Sequence, residues 1–283
     1  MVAEIINGKD LSVEIKEAMK DEVAVLRQQS IVPHLTVILI GDNPASRSYV
    51  NGKKRASEEV GISSDIIELP ESVSEQELLA TIQQLNQNEL VHGILVQLPL
   101  PNHIDVDHVI EAIDPKKDVD GFHPINIGKM MTGQDTFYPC TPYGILTMLR
   151  SKNITIAGKH VVIIGRSNIV GKPVGQLMLQ EDATVTYCHS KTKGMKEITR
   201  LADIVIVAIG KPNVIDSDYI KDGAVVIDVG INRLENGTLT GDVDFDSVLE
   251  KASYVTPVPR GVGPMTITML LHNTIKASKG LVT

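Results

Sequence analysis

Apolar side chains recur at helical spacing from the start of the chain: Leu11, Ile15, Ala18, Met19, Val23 and Leu26 share one face of a 3.6-residue period and predict a helix. The run "LTVILIG" (35–41) has no such period, and its continuous β-branched and apolar character predicts a buried strand ended by Gly41. A helix over "SYVNGKKRASEEVG" (48–61) follows directly, then a short strand "IIEL" (66–69). The next helix opens with the capping box Ser74-x-x-Glu77 and carries Leu78, Leu79, Ile82 and Leu85 on one face. "GILVQLPL" (93–100) predicts a third strand. From position 160 the alternation resumes: strand 160–165, helix about 171–180, strand 184–188, helix about 195–202, and strands 204–209 and 224–228. Strands apolar on both faces, alternating with helices, imply parallel sheets covered on two sides, hence the α/β class.

Between these halves, "DPKKDVDGFHPINIGKMMTGQDTFYPCTP" (114–142) is rich in Pro, Gly and Asp and shows no period, so it reads as a linker or cleft-lining loop between two α/β units. The apolar-faced helix "MTITMLLHNTIKAS" (265–278) suits either unit. With 283 residues and 42% hydrophobic content the chain has ample core material for two domains. A net charge of −8 without long basic runs disfavours a nucleic-acid or anionic-membrane partner, and three Phe with no Trp leave little for a base-stacking platform. Cys140 and Cys188 stand far apart with no Cys-x-x-Cys, which predicts neither a disulfide framework nor a structural metal and fits a reducing cytoplasm. The opening "MVAEIINGKD" has no basic segment before an apolar run, and no stretch of about 18 apolar residues occurs, so neither export nor a membrane span is expected.

Several residues carry candidate chemistry. At about 100° per residue, Tyr49, Lys53, Ala56 and Val60 fall within roughly 60° of one another while Lys54 and Arg55 swing away. Lys53 therefore shares an apolar stripe, either snorkelling along it or serving a function there. "KHVVIIGRSNIVGKPVG" (159–175) is strand, glycine turn and helix, the order that presents free N–H groups to a pyrophosphate. Its glycines stand at 165, 171 and 175, whereas the usual Gly-x-Gly-x-x-Gly spacing would require glycine where Ser167 and Val170 stand, so close helix–strand packing is the competing explanation. About 20 residues beyond such a turn, an NAD site carries Asp or Glu for the ribose 2′-hydroxyl. Here the second strand ends in "YCHSKTK" (187–193), where Ser190, Lys191 and Thr192, with Arg166 in the turn, offer donors and positive charge suited to a 2′-phosphate, and so to NADP. Gln97 sits in an apolar strand just before two prolines; it either bonds local backbone or has a partner elsewhere. "DVDGFHP" (118–124) is no calcium loop, since Lys116 and Ile127 would occupy ligand positions, and Asp120 before Gly is commonly a turn former.

"YVNGK", "VQLPLP", "DVDGFHP", "GRSNIVGKP", "CHSKT", "DVGIN" (228–232) and "GVGPMT" (261–266) occur in this order along one chain. The sequence thereby resembles, over essentially its whole length, the bifunctional methylenetetrahydrofolate dehydrogenase/cyclohydrolase family, often called FolD. The resemblance implies an enzyme that oxidises 5,10-methylenetetrahydrofolate with NADP⁺ and hydrolyses the methenyl cation to 10-formyltetrahydrofolate. It implies two α/β domains flanking a cleft: an αβα catalytic domain over 1–139, completed by the closing helix at about 265–283, and a Rossmann-like NADP-binding domain over 140–264. A homodimer acting on tetrahydrofolate derivatives is also implied. Lys53 matches the family's catalytic lysine, Tyr49 the ring beside the folate, Gln97 the lysine's amide partner and Asp120 the pterin anchor. Val96 and Leu98 flank Gln97 on the substrate side, and the substrate-side turn matches at Gly261, Val262, Gly263 and Pro264. Cofactor contacts match at Gly165, Arg166, Ser167, Ser190 and Ile231. Many relatives carry glycine where this chain has Arg260; a positive φ there would strain an arginine.

In that chemistry, hydride leaves a carbon flanked by two nitrogens whose lone pairs support the cation, so the first step needs positioning rather than a base. Hydrolysis needs proton traffic, and an amine on an apolar helix face beside a substrate cation has a lowered pKa. Lys53 is expected to activate water and shuttle the proton, Gln97 to orient it, Tyr49 to pack on the folate, and Asp120 to accept from adjacent pterin donors. A short-chain dehydrogenase, whose Tyr-x-x-x-Lys follows the nucleotide unit, is excluded by motif order. A non-catalytic NADP sensor would leave Lys53, Gln97 and Asp120 unexplained.

Overall fold

The computed structural model describes residues 2–280, so residues 281–283 of the expected closing helix lie outside the described residues. The chain opens with β1 (Glu4–Ile5) and α1 (Gly8–Gln28), then runs β2 (His34–Ile40), α2 (Pro44–Val60), β3 (Ser63–Leu69), α3 (Glu75–Gln87), β4 (Gly93–Val96), α4 (Val106–Ala112) and α5 (Pro124–Met131). It continues through α6 (Cys140–Ser151), β5 (His160–Ile164), α7 (Gly171–Gln180), β6 (Thr184–Cys188), α8 (Met195–Thr199), β7 (Ile204–Val207) and β8 (Val225–Asp228). The last elements are β9 (Asn232–Arg233), β10 (Leu239–Thr240), α9 (Phe245–Leu249), β11 (Tyr254–Val255) and α10 (Val262–Ser278). Two compact units result. Among the described residues, one comprises Glu14–Cys140 with 267–280, and the other comprises 2–13 with Thr141–Thr266.

The first unit is built on a parallel sheet ordered β3-β2-β4. Central β2 is buried from Leu35 to Ile40, as a parallel strand covered on both faces must be. Ile38, Ile40, Ile94 and Val96 pack with Leu78 and Ile82 of α3 and Val109 of α4 in one apolar cluster. The capping box of α3 forms as expected, with the Ser74 hydroxyl accepting from Glu77 N–H and the Glu77 carboxylate accepting from Ser74 N–H. The second unit holds a six-stranded sheet ordered β1-β11-β8-β7-β5-β6, parallel throughout. From β5 the chain moves out to β6, then returns past β5 to β7. The turns after β5 and β7 therefore diverge at a topological switch point, where doubly wound folds bind ligands.

Four features depart from the sequence reading. The segment 114–142 is not an irregular loop: it contains α5, started by His123 as N-cap and Pro124, and the beginning of α6. An eight-residue helix with only Asn126 and Met130 buried is too short to display a period. The third strand ends at Val96 rather than running to 100, and the helix at 195 ends at Thr199. Residues up to Val13, assigned by sequence to the first domain, group with the six-stranded unit because Glu4 and Ile5 pair with Tyr254 and Val255. Two-residue strands leave no pattern to read.

Candidate active site

Helix α2 begins with Asn43, whose side chain accepts from Ala45 and Ser46 N–H, and ends at Gly61 in the left-handed region. Its buried face is Ser46, Val50, Lys53, Ser57 and Val60. Lys53 is indeed inside, at 9% exposure, whereas Lys54 is half-buried and Arg55 exposed. The stripe is rotated by about one position from the hydropathy wheel, leaving Tyr49 42% exposed at its border. Small serines cause the rotation: the Ser57 hydroxyl donates to Lys53 O at 3.0 Å and is fully buried despite its polarity.

The partner of Lys53 comes from the end of β4. Lys53 Nζ donates to Gln97 Oε1 at 2.9 Å, and Gln97 Nε2 donates to Leu98 O at 2.6 Å. Both alternatives for Gln97 are thus realised in one amide. Gln97 N–H still bonds Ile38 O, which ties its side chain to the central strand. Val96 is buried, and Leu98 half-buried, on either side of it.

Asp120 reaches the same cluster through an element that the sequence pattern hides. Asp118 forms an isolated bridge with Ile94, extending the sheet past β4. Its buried carboxylate accepts from Gly121, Phe122 and His123 N–H and from Asn126 Nδ2. This one side chain wraps the backbone of 118–123 around itself and sets the course of Asp120. Asp120 O accepts from Cys140 N–H at 3.3 Å, and the Cys140 thiol interacts with the Asp120 carboxylate.

Electrostatics of the cluster follow from its dryness. Burial lowers the Lys53 pKa, with the Asp120 carboxylate pulling the other way. Burial likewise raises Asp120, with Lys53 opposing, and pushes the Cys140 thiol well above its ordinary value. Each charge thus partly offsets the cost of burying the other.

In the six-stranded unit, Gly165 follows β5 with φ of 137°. A Cβ there would stand 2.3 Å from Ala208 O, in the turn after β7, so only glycine lets the two turns approach. At Gly171, which opens α7, a Cβ would lie 2.6 Å from Gly165 O. The Ser167 hydroxyl accepts from Val170 and Gly171 N–H, and Arg166 and Ser167 are exposed. At the end of β6, the Thr192 hydroxyl accepts from His189 N–H and shapes the turn, leaving Ser190 and Lys191 exposed. No carboxylate stands among residues 187–193. This cradle fits a dinucleotide phosphate with an additional anionic group on its ribose.

Ile231, 45% exposed, lies against the first turn of α10, which starts at Val262 and so takes in most of the expected turn at 261–264: a Cβ on Gly263 would be 3.6 Å from Ile231 Cδ1. Gly261 and Val262 are buried, Gly263 and Pro264 half-buried. Arg260 has φ of 83°, the strained region anticipated for it, and its carbonyl accepts from Lys9 N–H. Nearby, buried Asp228 accepts from Gly230, Asp242 and Val243 N–H, while Asp242 accepts from Ile209, Gly210 and Lys211 N–H and from Asn232 Nδ2. Burial pushes Asp228 up to about 6 against those amides. Asp118, Cys140, Asp228 and Asp242 were not singled out from sequence. Their roles lie in bonds to backbone groups; an Asp two or three positions before Gly is a local signal for Asp118 and Asp228, and Cys140 and Asp242 carry none.

The structure thus brings Lys53, Gln97 and Asp120 together in one unit and gathers the glycine turn, the end of β6 and Ile231 with the turn at Gly261 in the other. A parallel doubly wound nucleotide unit, together with a buried amine–amide–carboxylate cluster, is the equipment of a nicotinamide-dependent α/β enzyme. Residues 6–120 match the family model described as tetrahydrofolate dehydrogenase/cyclohydrolase, catalytic domain, and residues 139–281 match that family's NAD(P)-binding domain. The chain belongs to the tetrahydrofolate dehydrogenase/cyclohydrolase family. It is 68% identical over 280 residues to the bifunctional protein FolD of Oceanobacillus iheyensis, covering 99% of this chain and 98% of that one. It is 63% identical over 279 residues to the FolD of Bacillus cytotoxicus, with the same coverage. Among solved structures, FolD from Campylobacter jejuni superposes with a TM-score of 0.97 at 52% identity, covering 99% of this chain and 100% of that one. The Trypanosoma brucei enzyme, solved with NADP cofactor and an inhibitor, gives 0.95 at 38% identity and covers 99% of each chain.

Proposed function

We propose that this chain oxidises 5,10-methylenetetrahydrofolate to the methenyl cation with NADP⁺ and hydrolyses that cation to 10-formyltetrahydrofolate, with Lys53 as the proton-transfer group. The observation that carries the proposal is the 2.9 Å bond from a buried Lys53 ammonium to Gln97 Oε1, close enough to Asp120 for the two charges to couple. NADP⁺, when bound, accepts the hydride. With Gly165 N–H bonded to Cys188 O, the N–H groups of Arg166 and Ser167 in the glycine turn would hold its phosphates, and Arg166, Ser190, Lys191 and Thr192 would supply charge and donors for the 2′-phosphate. Ile231 packs beside the same ligand.

Asp120 accepts from adjacent pterin N–H donors with its two oxygens, and Tyr49, at the border of the buried stripe, packs on the folate ring. Val96 and Leu98 complete the folate contacts within this unit. Lys53, with its pKa lowered, takes a proton from water as it adds to the methenyl carbon. It returns that proton to the ring nitrogen as the C–N bond breaks, while the carbinol hydroxyl releases its remaining proton to solvent and becomes the formyl carbonyl. Gln97 holds the amine in place with Oε1 while its Nε2 is fixed on Leu98 O. The family resemblance supports a homodimer. The net charge of −8 supports a small-molecule rather than nucleic-acid partner. No helix among the described residues is long and apolar enough to cross a membrane, and a cytoplasmic location fits two buried, unpaired thiols. Mixing the purified protein with NADP⁺ and methylenetetrahydrofolate tests the function: NADPH and methenyl absorbance should rise and the methenyl signal then decay. Cofactor binding without turnover would favour the sensor reading instead.

A further inference from the structure

We infer that Asn273 of α10 is a positioning residue for the folate site, holding Asp120 in place through the backbone just before it and the segment at Tyr138–Cys140 that it packs against. Asn273 is 2% exposed on α10, between His272 and the buried Thr274. Its Nδ2 has two hydrogens, and two carbonyls receive them: Val119 O at 2.9 Å and Tyr138 O at 3.1 Å, with Cys140 Sγ beyond at 3.7 Å. Val119 immediately precedes Asp120, and Tyr138 lies two residues before Cys140. Those two backbone segments already touch. Gly121 has φ of 77°, and a Cβ on it would stand 2.6 Å from the Tyr138 carbonyl carbon; Cys140 N–H bonds Asp120 O, and Cys140 Sγ donates to Val119 O at 3.3 Å. One amide therefore clasps both segments from the side of α10, while Asp118 holds the following turn from within. Without the clasp, Tyr138 O and Val119 O both lose the Asn273 amide, Val119 O keeps only the weak Cys140 thiol donor of the two, and the segment carrying Asp120 is less tightly held against Cys140.

The inference rests on Asp120 being the pterin anchor. It predicts that Asn273→Leu, similar in size but unable to donate, raises the KM for methylenetetrahydrofolate by roughly tenfold to a hundredfold, with the KM for NADP⁺ unchanged. A merely structural role would lower the amount of active enzyme without that split. The two possibilities part most clearly in a double-mutant cycle with Asp120→Asn. If Asn273 acts through Asp120, adding Asn273→Leu to Asp120→Asn produces little further rise in folate KM. Equal rises in both backgrounds, or an unchanged folate KM in Asn273→Leu alone, overturn the inference while leaving the anchor role standing. An unchanged folate KM in Asp120→Asn alone overturns the anchor role, and the inference with it. Should Asn273→Leu not fold, Asn273→Ser, whose short hydroxyl cannot span both carbonyls, goes through the same cycle with the same criteria.

Discussion

Replacing Lys53 with methionine removes the amine and keeps an unbranched chain of similar volume on the buried face of α2. The Nζ to Gln97 Oε1 bond at 2.9 Å is lost, a charge-assisted contact of about 1.5–3 kcal/mol. Burial of the charge, which lowers the Lys53 pKa, opposes that loss, while the buried Asp120 carboxylate loses its neighbouring cation, so K53M should fold with reduced stability. Catalysis has no such offset. A positioned acid–base group contributes about 10²–10⁴-fold, or roughly 3–5 kcal/mol of barrier, and decay of methenyl absorbance at neutral pH should slow by that factor once spontaneous hydrolysis is subtracted. Hydride removal requires no base and should persist. In the wild-type enzyme, hydrolysis should rise with pH through the lowered Lys53 value and level off below the ordinary lysine value of 10.5. Between those two values the unfolded chain binds the extra proton, so stability rises with pH across the window and K53M flattens that slope. Full retention of hydrolysis in K53M would refute the proton-transfer role.

Gly165→Ala forces a Cβ to 2.3 Å from Ala208 O at a φ of 137°, so NADP⁺ KM should rise at least about tenfold while hydrolysis of added methenyltetrahydrofolate continues; equal loss of both activities would contradict the assignment. Arg166→Ala should raise NADP⁺ KM by about ten- to a hundredfold and leave NAD⁺ KM nearly unchanged, and parallel changes for both nucleotides would remove Arg166 from the 2′-phosphate site. Arg260→Gly relieves an arginine at φ of 83° and should stabilise by about 0.5–1 kcal/mol after the entropy of glycine is set against it. Calorimetry checks this, and a lower Tm in Arg260→Gly would show that the loop prefers its arginine.

Much of the fold was legible because its elements are long and regular. β2 announces itself as an apolar run, α3 by its capping box, and the switch-point turn by Gly165 between strand and helix. Lys53 was readable because a charge on an apolar face breaks the pattern around it. Elsewhere the determinants are polar groups satisfied by backbone. Ser46 and Ser57 are buried on α2 and rotate its inner face away from the hydropathy wheel. Asp118 organises 118–123 through N–H groups that no side-chain pattern reveals, and α5 behind it is too short for a period. Asn273 lies between His272 and Thr274, so no apolar background marks it as it marks Gln97, and its partners are carbonyls of a distant segment. Spacing along one helix says nothing about such partners.

The clasp made by α10 also bears on when the folate unit is finished during synthesis. Asn273 meets Cys140 across a separation of 133 positions, so the segments carrying Lys53, Gln97 and Asp120 leave the ribosome long before the amide that braces them. Nascent chains should hold these groups in a loosely ordered precursor while the six-stranded sheet is being made, and acquire tight affinity for folate only when α10 emerges.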